Sequence, residues 1–325
     1  MKKLSLILMF SLSAMIMPAC GNAGEGLIPV TIMLDWVPNT NHTGIFVADA
    51  RGFFEDAGLK VEIVQPGEVY AEAAVAGGAV DFGISHQEAV TLARADGVPI
   101  VSIAAVIQHN TSGFASLASK GITGPKDFEG LTYGAFGSPF ESPTLSVLME
   151  CTGADSSKLK IQDIGYADPL ALLAGGQIGL AWIFYGWQAF QAQQQDIDLD
   201  VVMMEDYFDC IPDYYTPLVI ASEDTIANRP EVVRAFLKAI SRGYDFASQN
   251  PDESAEILLA AAPELDGDLV RASQQWLSPR YQADASRWGE QKGSVWQGYS
   301  DWMVQYGILS SPISAADAFT NRFLP

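Results

Sequence analysis

The residues best suited to chemistry in this chain stand where apolar runs end. The first such run leads into Asp35-Trp36-Val37-Pro38-Asn39-Thr40-Asn41-His42-Thr43-Gly44. Trp36 offers a flat apolar face with a single donor. Asn39 supplies amide donors and acceptors, and His42 a titratable ring. As plain structure, the same stretch reads as a loop with Asn41 capping a helix and Trp36 packed in a core. Two further segments, Ser85-His86-Gln87-Glu88 and Gly137-Ser138-Pro139-Phe140-Glu141, share the spacing of a capping box, with Pro139 suited to a first helical position. Helix starts of this kind turn free backbone N–H groups toward whatever lies in front of them. That makes Gln87, Glu88, Ser138 and Glu141 candidate contacts, although the serines read equally as simple caps. Tyr185 and Trp187 follow another apolar run, and Tyr214 and Tyr215 lie in a turn-rich stretch. Any one of these rings fits a core. Together they suit a planar ligand, each stacked ring adding about 0.5–1.5 kcal/mol beyond burial of its area.

The chemistry these segments lack narrows the choice. None of them contains Lys or Arg, which a sulfonate, phosphate or nitrate binder is expected to place there. The three histidines, His42, His86 and His109, form no H-x-x-x-H pair, and there is no C-x-x-C, so no metal site is expected. No Gly-rich phosphate loop and no nucleophile elbow is present. The expectation is therefore binding without catalysis, with no cofactor, of a flat heterocycle that carries N–H donors.

The elements that must position these residues alternate. Strands are expected over 30–34, 59–64, 80–84 and 99–107, with helices over 42–54, 69–76 and 87–95 between them. The style repeats with strands over 131–136, 159–164, 178–183 and 201–204 and helices over 143–151 and 169–174. From Ser222 onward the pattern turns helical, over 231–247, 252–262, 266–277 and 286–306. Alternation of this kind argues for parallel sheets flanked by helices. An internal echo supports two similar units: Gly77-Gly78-Ala79-Val80-Asp81-Phe82-Gly83 and Gly175-Gly176-Gln177-Ile178-Gly179-Leu180-Ala181 each follow an Ala-rich helix and enter a strand. The chain is thus expected to form two α/β lobes. Residues 29–114 and 218–325 make lobe 1, residues 115–217 make lobe 2, and the crossings fall near 110–120 and 213–220. Ligands of such folds sit at the carboxyl ends of the strands.

Lys2 and Lys3, the uncharged run Leu4–Met17 and Met17-Pro18-Ala19-Cys20 read as a secretory signal ending in a lipobox. Residues 1–19 are expected to be removed, Cys20 to carry lipid and residues 20–28 to serve as a tether. The protein is then extracytoplasmic, attached to the membrane through that anchor only. A net charge of −21 disfavours nucleic acid and anionic membrane as partners. Cys151 and Cys210 are left either to pair or to remain two buried thiols.

Leu34–Gly44, Gly52-Phe53-Phe54 with Gly58-Leu59, Val80–Ser85 and Phe128-Glu129-Gly130 resemble the NMT1/THI5-like group, and most closely its bacterial solute-binding branch for thiamine pyrimidine precursors. The resemblance runs from about residue 29 to Pro325. It implies a type II periplasmic-binding-protein fold, an ABC permease and its ATPase as partners, and a monomer closing around its ligand. The ligand implied is a formylaminopyrimidine or hydroxymethylpyrimidine, with Trp36, Tyr185, Trp187 and Tyr215 as rings and Asn39 and Glu141 as polar partners. Binders of riboflavin, or of sulfonate- and nitrate-type anions, share the fold. The fungal branch is enzymatic and makes the pyrimidine from pyridoxal phosphate with a lysine and a histidine after the third strand. Here Ser85 and Ala89 fall at those positions, so the enzyme reading is disfavoured.

Overall fold

The computed structural model describes residues 26–67, 69–165 and 167–325. The expected signal, Cys20 and most of the tether lie outside them. No helix among the described residues is long and apolar enough to cross a membrane.

Two five-stranded sheets carry the fold, and they have the same topology. The first contains β1 (Ile28–Met33), β2 (Leu59–Val64), β3 (Phe82–Ser85), β4 (Ile100–Ala105) and β10 (Leu218–Ser222), in the order β2-β1-β3-β10-β4. The second contains β5 (Ser112–Leu117), β6 (Thr132–Ala135), β7 (Lys160–Asp163), β8 (Leu180–Phe184) and β9 (Leu199–Met203), in the order β7-β6-β8-β5-β9. In each sheet one strand runs against its neighbours: β10 is antiparallel to β3 and β4, and β5 to β8 and β9. These two are the strands missing from the sequence reading, because 110–120 and 213–220 read as crossings. In the structure the first crossing is shorter and the second ends before Leu218. The chain leaves lobe 1 after Ala105 and enters β5 at Ser112, and it returns through the stretch before β10. The expected boundary after residue 114 therefore falls inside β5, which is paired in the second sheet on both sides. β4 and β10 are buried throughout, so no alternation marks them.

Helices flank both sheets: α1 (Thr43–Ala50), α2 (Ala71–Ala76), α3 (Gln87–Ala95), α4 (Glu141–Cys151), α5 (Pro169–Ala174), α6 (Pro230–Gln249), α7 (Gly267–Leu277) and α8 (Gly293–Gln305). The Gly-Gly echo marks equivalent places. Gly77 ends α2 ahead of β3 and Gly175 ends α5 ahead of β8, with Gly78 and Gly176 at φ +70° and +67°. Both are helix ends that favour a residue without Cβ. α6 starts with Pro230 at its first turn and turns Val232, Val233, Phe236, Leu237, Ile240 and Tyr244 into the core under the first sheet. It passes so close to α1 that a Cβ on Gly243 would strike the Gly44 carbonyl. That contact fixes α1 and the loop before it on lobe 1.

The last helix does not start at Ser286 as the periodicity suggests; α8 begins at Gly293 after an irregular stretch. Nor does α8 belong to lobe 1 alone. Trp296 packs under the first sheet, whereas Tyr299, Trp302 and Met303 join the core of the second. α8 thus spans both lobes, and the chain after it packs on lobe 1 again through Ala318, Phe323 and Leu324. Lobe 2 is further tied by a disulfide between Cys151, at the end of α4, and Cys210, with a Cα–Cα distance of 5.9 Å.

Candidate functional site

The carboxyl ends of β1 and β3 in lobe 1 and of β6 and β8 in lobe 2 bring a small polar group together with several rings. Just past β1, Asp35 is largely shielded and receives His42 Nε2 at 2.6 Å. His42 is fully buried, and its Nδ1 accepts the backbone N–H of Asn39 at 3.2 Å. An accepting Nδ1 places the ring proton on Nε2, so the imidazole donates to the Asp35 carboxylate. Burial alone would raise the Asp35 pKa, but His42 and the nearby His86 outweigh it and hold the carboxyl below its ordinary value. The second Asp35 oxygen faces His86 Nε2 at 4.0 Å. Trp36, next in sequence, is 49% exposed.

His86 follows β3 and connects three parts of the molecule. Besides facing Asp35, it lies 3.4 Å from Thr216 Oγ1 in the second crossing. Its ring also stacks on Phe184 of lobe 2, with centroids 6.3 Å apart and planes at 25°. Phe184 and Trp182 are two residues apart on β8 and share a face. Trp182 is packed edge-on by Phe136 and Phe140. Phe136, just past β6, is 45% exposed. The result is an ionised carboxylate and a histidine on one lobe, an exposed indole beside them, and phenyl rings opposite. Such a surface suits a flat ring with N–H donors: stacking supplies apolar contact and the carboxylate accepts.

Several candidates from the sequence sit elsewhere. Asn39 caps its own turn, accepting from Asn41 N at 2.9 Å and donating to Val37 O at 3.0 Å. With His42 it completes a capping box, so both shape the loop that presents Asp35 and Trp36. The cap is therefore Asn39 rather than Asn41. Gln87 is fully buried and exchanges hydrogen bonds with Tyr215, N to O at 3.0 Å and Oε1 from N at 2.9 Å. Glu88 is 4% exposed and faces Tyr214. The capping box expected at Ser85 is absent: His86 precedes α3 without a side-chain cap, and the Ser85 hydroxyl donates to Glu72.

In lobe 2, Glu141 is buried and fully occupied. It accepts from Tyr133 Oη at 2.6 Å and from the N–H groups of Phe136, Gly137 and Ser138 at 3.0, 2.8 and 2.6 Å. Its carboxylate knots the loop that presents Phe136. Ser138 lies in that loop, and Phe140 rather than Ser138 precedes α4. Tyr185 and Trp187 belong to a π-helical turn, Tyr185–Ala189, that packs on α7 of lobe 1. Tyr185 lies 5.1 Å from the Trp276 ring, and Trp187 packs against the lobe 1 core. Ser273 of α7 donates to Gly186 O in the same contact. Tyr214 and Tyr215 are both 2% exposed. Tyr214 packs on Tyr299 with centroids 4.5 Å apart, and the Tyr215 hydroxyl accepts from Lys292 N at 2.8 Å. Burial pushes the Tyr215 phenol up to about 12. Of the eleven candidates, only Trp36 presents a large exposed ring at the strand ends. The groups the choice of candidates missed are Asp35, His86, Phe136 and Phe184. One signal marks all four: each lies within two residues of the end of a strand whose carboxyl end faces the other lobe.

The crossings themselves are pinned. Asp213 accepts His109 Nδ1 at 2.5 Å and the N–H groups of Asn110 and Tyr214 at 3.0 and 2.9 Å. His109 Nε2 reaches Asp284 of lobe 1 at 2.8 Å.

A family profile described as "NMT1/THI5 like" matches residues 39–254. The chain belongs to that family. It is 28% identical to a formylaminopyrimidine-binding protein from Halalkalibacterium halodurans, over 98% of each chain. A riboflavin-binding protein, RibY, from Chloroflexus aurantiacus is 26% identical over 94% of this chain and 88% of its own. A 4-amino-5-hydroxymethyl-2-methylpyrimidine phosphate synthase from Legionella pneumophila is 27% identical over 91% and 92%. Among solved structures, the alkanesulfonate-binding protein SsuA from Xanthomonas axonopodis pv. citri superposes with a TM-score of 0.69 at 14% identity, covering 90% of this chain and 98% of that one. At that identity the likeness concerns the fold, which is that of the periplasmic binding proteins. The disulfide joins the two cysteines that the sequence left open.

Proposed function

We propose that this chain is the extracytoplasmic solute-binding component of an ABC importer and that it carries a thiamine pyrimidine precursor of the formylaminopyrimidine or hydroxymethylpyrimidine type. The observation that carries the reading is the Asp35 carboxylate, oriented by His42 and set beside the exposed Trp36 opposite Phe136 and Phe184. An aminopyrimidine offers what this surface lacks: a planar ring to lie between aromatics and an amine to donate to a carboxylate. Similarity over the full length to a formylaminopyrimidine-binding protein supports the same ligand class. Closure must favour the bound state, because equal affinity for the open and closed forms would shift nothing. The partners are a permease and its ATPase, and the chain works as a monomer. Attachment through lipid at Cys20 fits the Cys151–Cys210 disulfide, which persists in oxidising compartments outside the cytoplasm.

Calorimetric titration tests the ligand. Protein from residue 21 onward is titrated with formylaminopyrimidine, hydroxymethylpyrimidine, thiamine, riboflavin and taurine. Micromolar or tighter binding of a pyrimidine precursor, lost in Trp36→Ala, supports the reading. Binding of riboflavin or taurine alone keeps the transport role and overturns the ligand. The synthase-like relative raises an enzymatic alternative. It is disfavoured because the strand-end surface formed by Asp35, Trp36, His86, Phe136 and Phe184 offers no primary amine for pyridoxal phosphate. An absorbance change on adding pyridoxal phosphate would reinstate it.

A further inference from the structure

Both crossings between the lobes, and α8, which packs on both, meet at one buried carboxyl group. Glu88 rides on α3 of lobe 1. Tyr214 from the second crossing and Tyr299 from α8 stand around it. Asn110 of the first crossing lies beside the same Tyr214 hydroxyl. The neighbouring Gln87 ties α3 to the second crossing through both backbone atoms of Tyr215. Yet the junction is not satisfied. Glu88 Oε2 and Asn110 Nδ2 are buried and have no hydrogen-bond partner. An unpartnered buried carboxyl oxygen is tolerable when the group is neutral and costly when it is charged.

We propose that Glu88 makes the hinge sensitive to protons: the closed form holds it neutral at the junction, and opening of the lobes admits water and lets it ionise. The geometry supports this because Glu88 is fixed to lobe 1 while Tyr214, Tyr299 and Asn110 are carried by the crossings and α8. Gln87 keeps α3 on the second crossing, so a change in lobe angle opens the junction on the side of Asn110 and Tyr299. The charged and titratable groups facing Glu88 are His86 at the start of α3, Glu72 of α2, Tyr214 and Tyr299. Burial raises its pKa above the ordinary carboxylate value; His86 and the Tyr214 hydroxyl oppose that rise, and Glu72 adds to it. The sign follows. A proton bound more tightly in the closed form makes closure most favourable at low pH, and closure weakens as pH rises. One proton limits the change to tenfold in the open-to-closed ratio per pH unit. The proposal holds whichever ligand the cleft takes.

Small-angle scattering of the ligand-free chain between about pH 5 and about pH 8 tests it without a ligand. In the wild type the radius of gyration is expected to grow as pH rises. In a His109→Ala background, which removes the other titrating link between the crossings and lobe 1, Glu88→Gln, which keeps the shape but cannot ionise, should abolish that growth. Tyr214→Phe removes a hydroxyl that favours the charged form, so it should move the transition to higher pH rather than remove it. His109→Ala should leave the transition in place. A profile that does not change with pH, or the same change in Glu88→Gln on that background, overturns the proposal. If Glu88→Gln does not fold, an unshifted transition in Tyr214→Phe overturns it instead.

Discussion

Raising the pH should loosen this protein through His109, and the size of the effect can be worked from its surroundings. The ring lies between Asp213 at 2.5 Å and Asp284 at 2.8 Å, so it joins the first crossing to the second and both to lobe 1. The Asp213 hydrogen bond raises its pKa most; burial opposes that, and Asp284 adds to the rise, taking it from 6.5 to about 9. A raised folded-state value means the stabilisation is complete below the unfolded value of 6.5 and is lost as pH climbs through about 9. The difference between 6.5 and about 9 corresponds formally to about 3.4 kcal/mol. The His109 side chain is 41% exposed, so solvent screening reduces this to about 1–2 kcal/mol. Urea denaturation of the wild type and His109→Ala at about pH 6, 7.5 and 9.5 gives the difference directly, since other titrating groups cancel between the two. The difference should be about 1–2 kcal/mol at the lowest pH and shrink toward zero at the highest. A difference that stays constant, or grows with pH, would refute the reasoning.

Three further outcomes follow from the same structure. Replacing Cys151 and Cys210 by serine should lower stability by about 4 kcal/mol, the chain-entropy value for the loop of 59 residues that the bridge closes; a urea midpoint unchanged under reductant would contradict it. Gly243→Ala forces a Cβ against the Gly44 carbonyl on a neighbouring helix, where backbone cannot yield cheaply, so a loss of about 3 kcal/mol or more is expected in thermal or urea unfolding. Asp35→Asn removes the negative charge at the strand-end surface while retaining the shape that His42 supports. Affinity for the pyrimidine should fall about tenfold or more, the loss of one charge-assisted hydrogen bond, and equal affinity would remove Asp35 from the contact.

How much of this was legible beforehand depends on which residues are asked. The parallel strands and their helices were readable because apolar runs, Gly-Gly helix ends and three- and four-residue spacing are local properties. The repeated Gly-Gly entry into β3 and β8 marked equivalent places in two sheets of one topology. The strands β5 and β10 were not readable as strands. They begin inside the stretches that read as crossings, 110–120 and 213–220, and only pairing in the folded sheets marks them as strands. The candidate site divides in the same way. That ligand-facing residues stand after strand ends could be anticipated, and Trp36 does face outward there. Which polar side chains remain available could not. Asn39, Gln87 and Glu141 have the right chemistry for a ligand, but each is satisfied by backbone that only folding brings to it. Glu141 takes three consecutive N–H groups from its own loop, and Gln87 takes Tyr215 from 128 residues away. Sequence alone determined the lobes' building pattern, because that rests on local periodicity. Tertiary structure alone decided that His86, facing Asp35, meets Phe184 across the lobes while Glu88, Tyr214 and Tyr215 are buried at the hinge. Hydrogen-bond satisfaction and burial are properties of packed neighbours, and for Gln87, His86 and Glu88 those neighbours are distant in the chain.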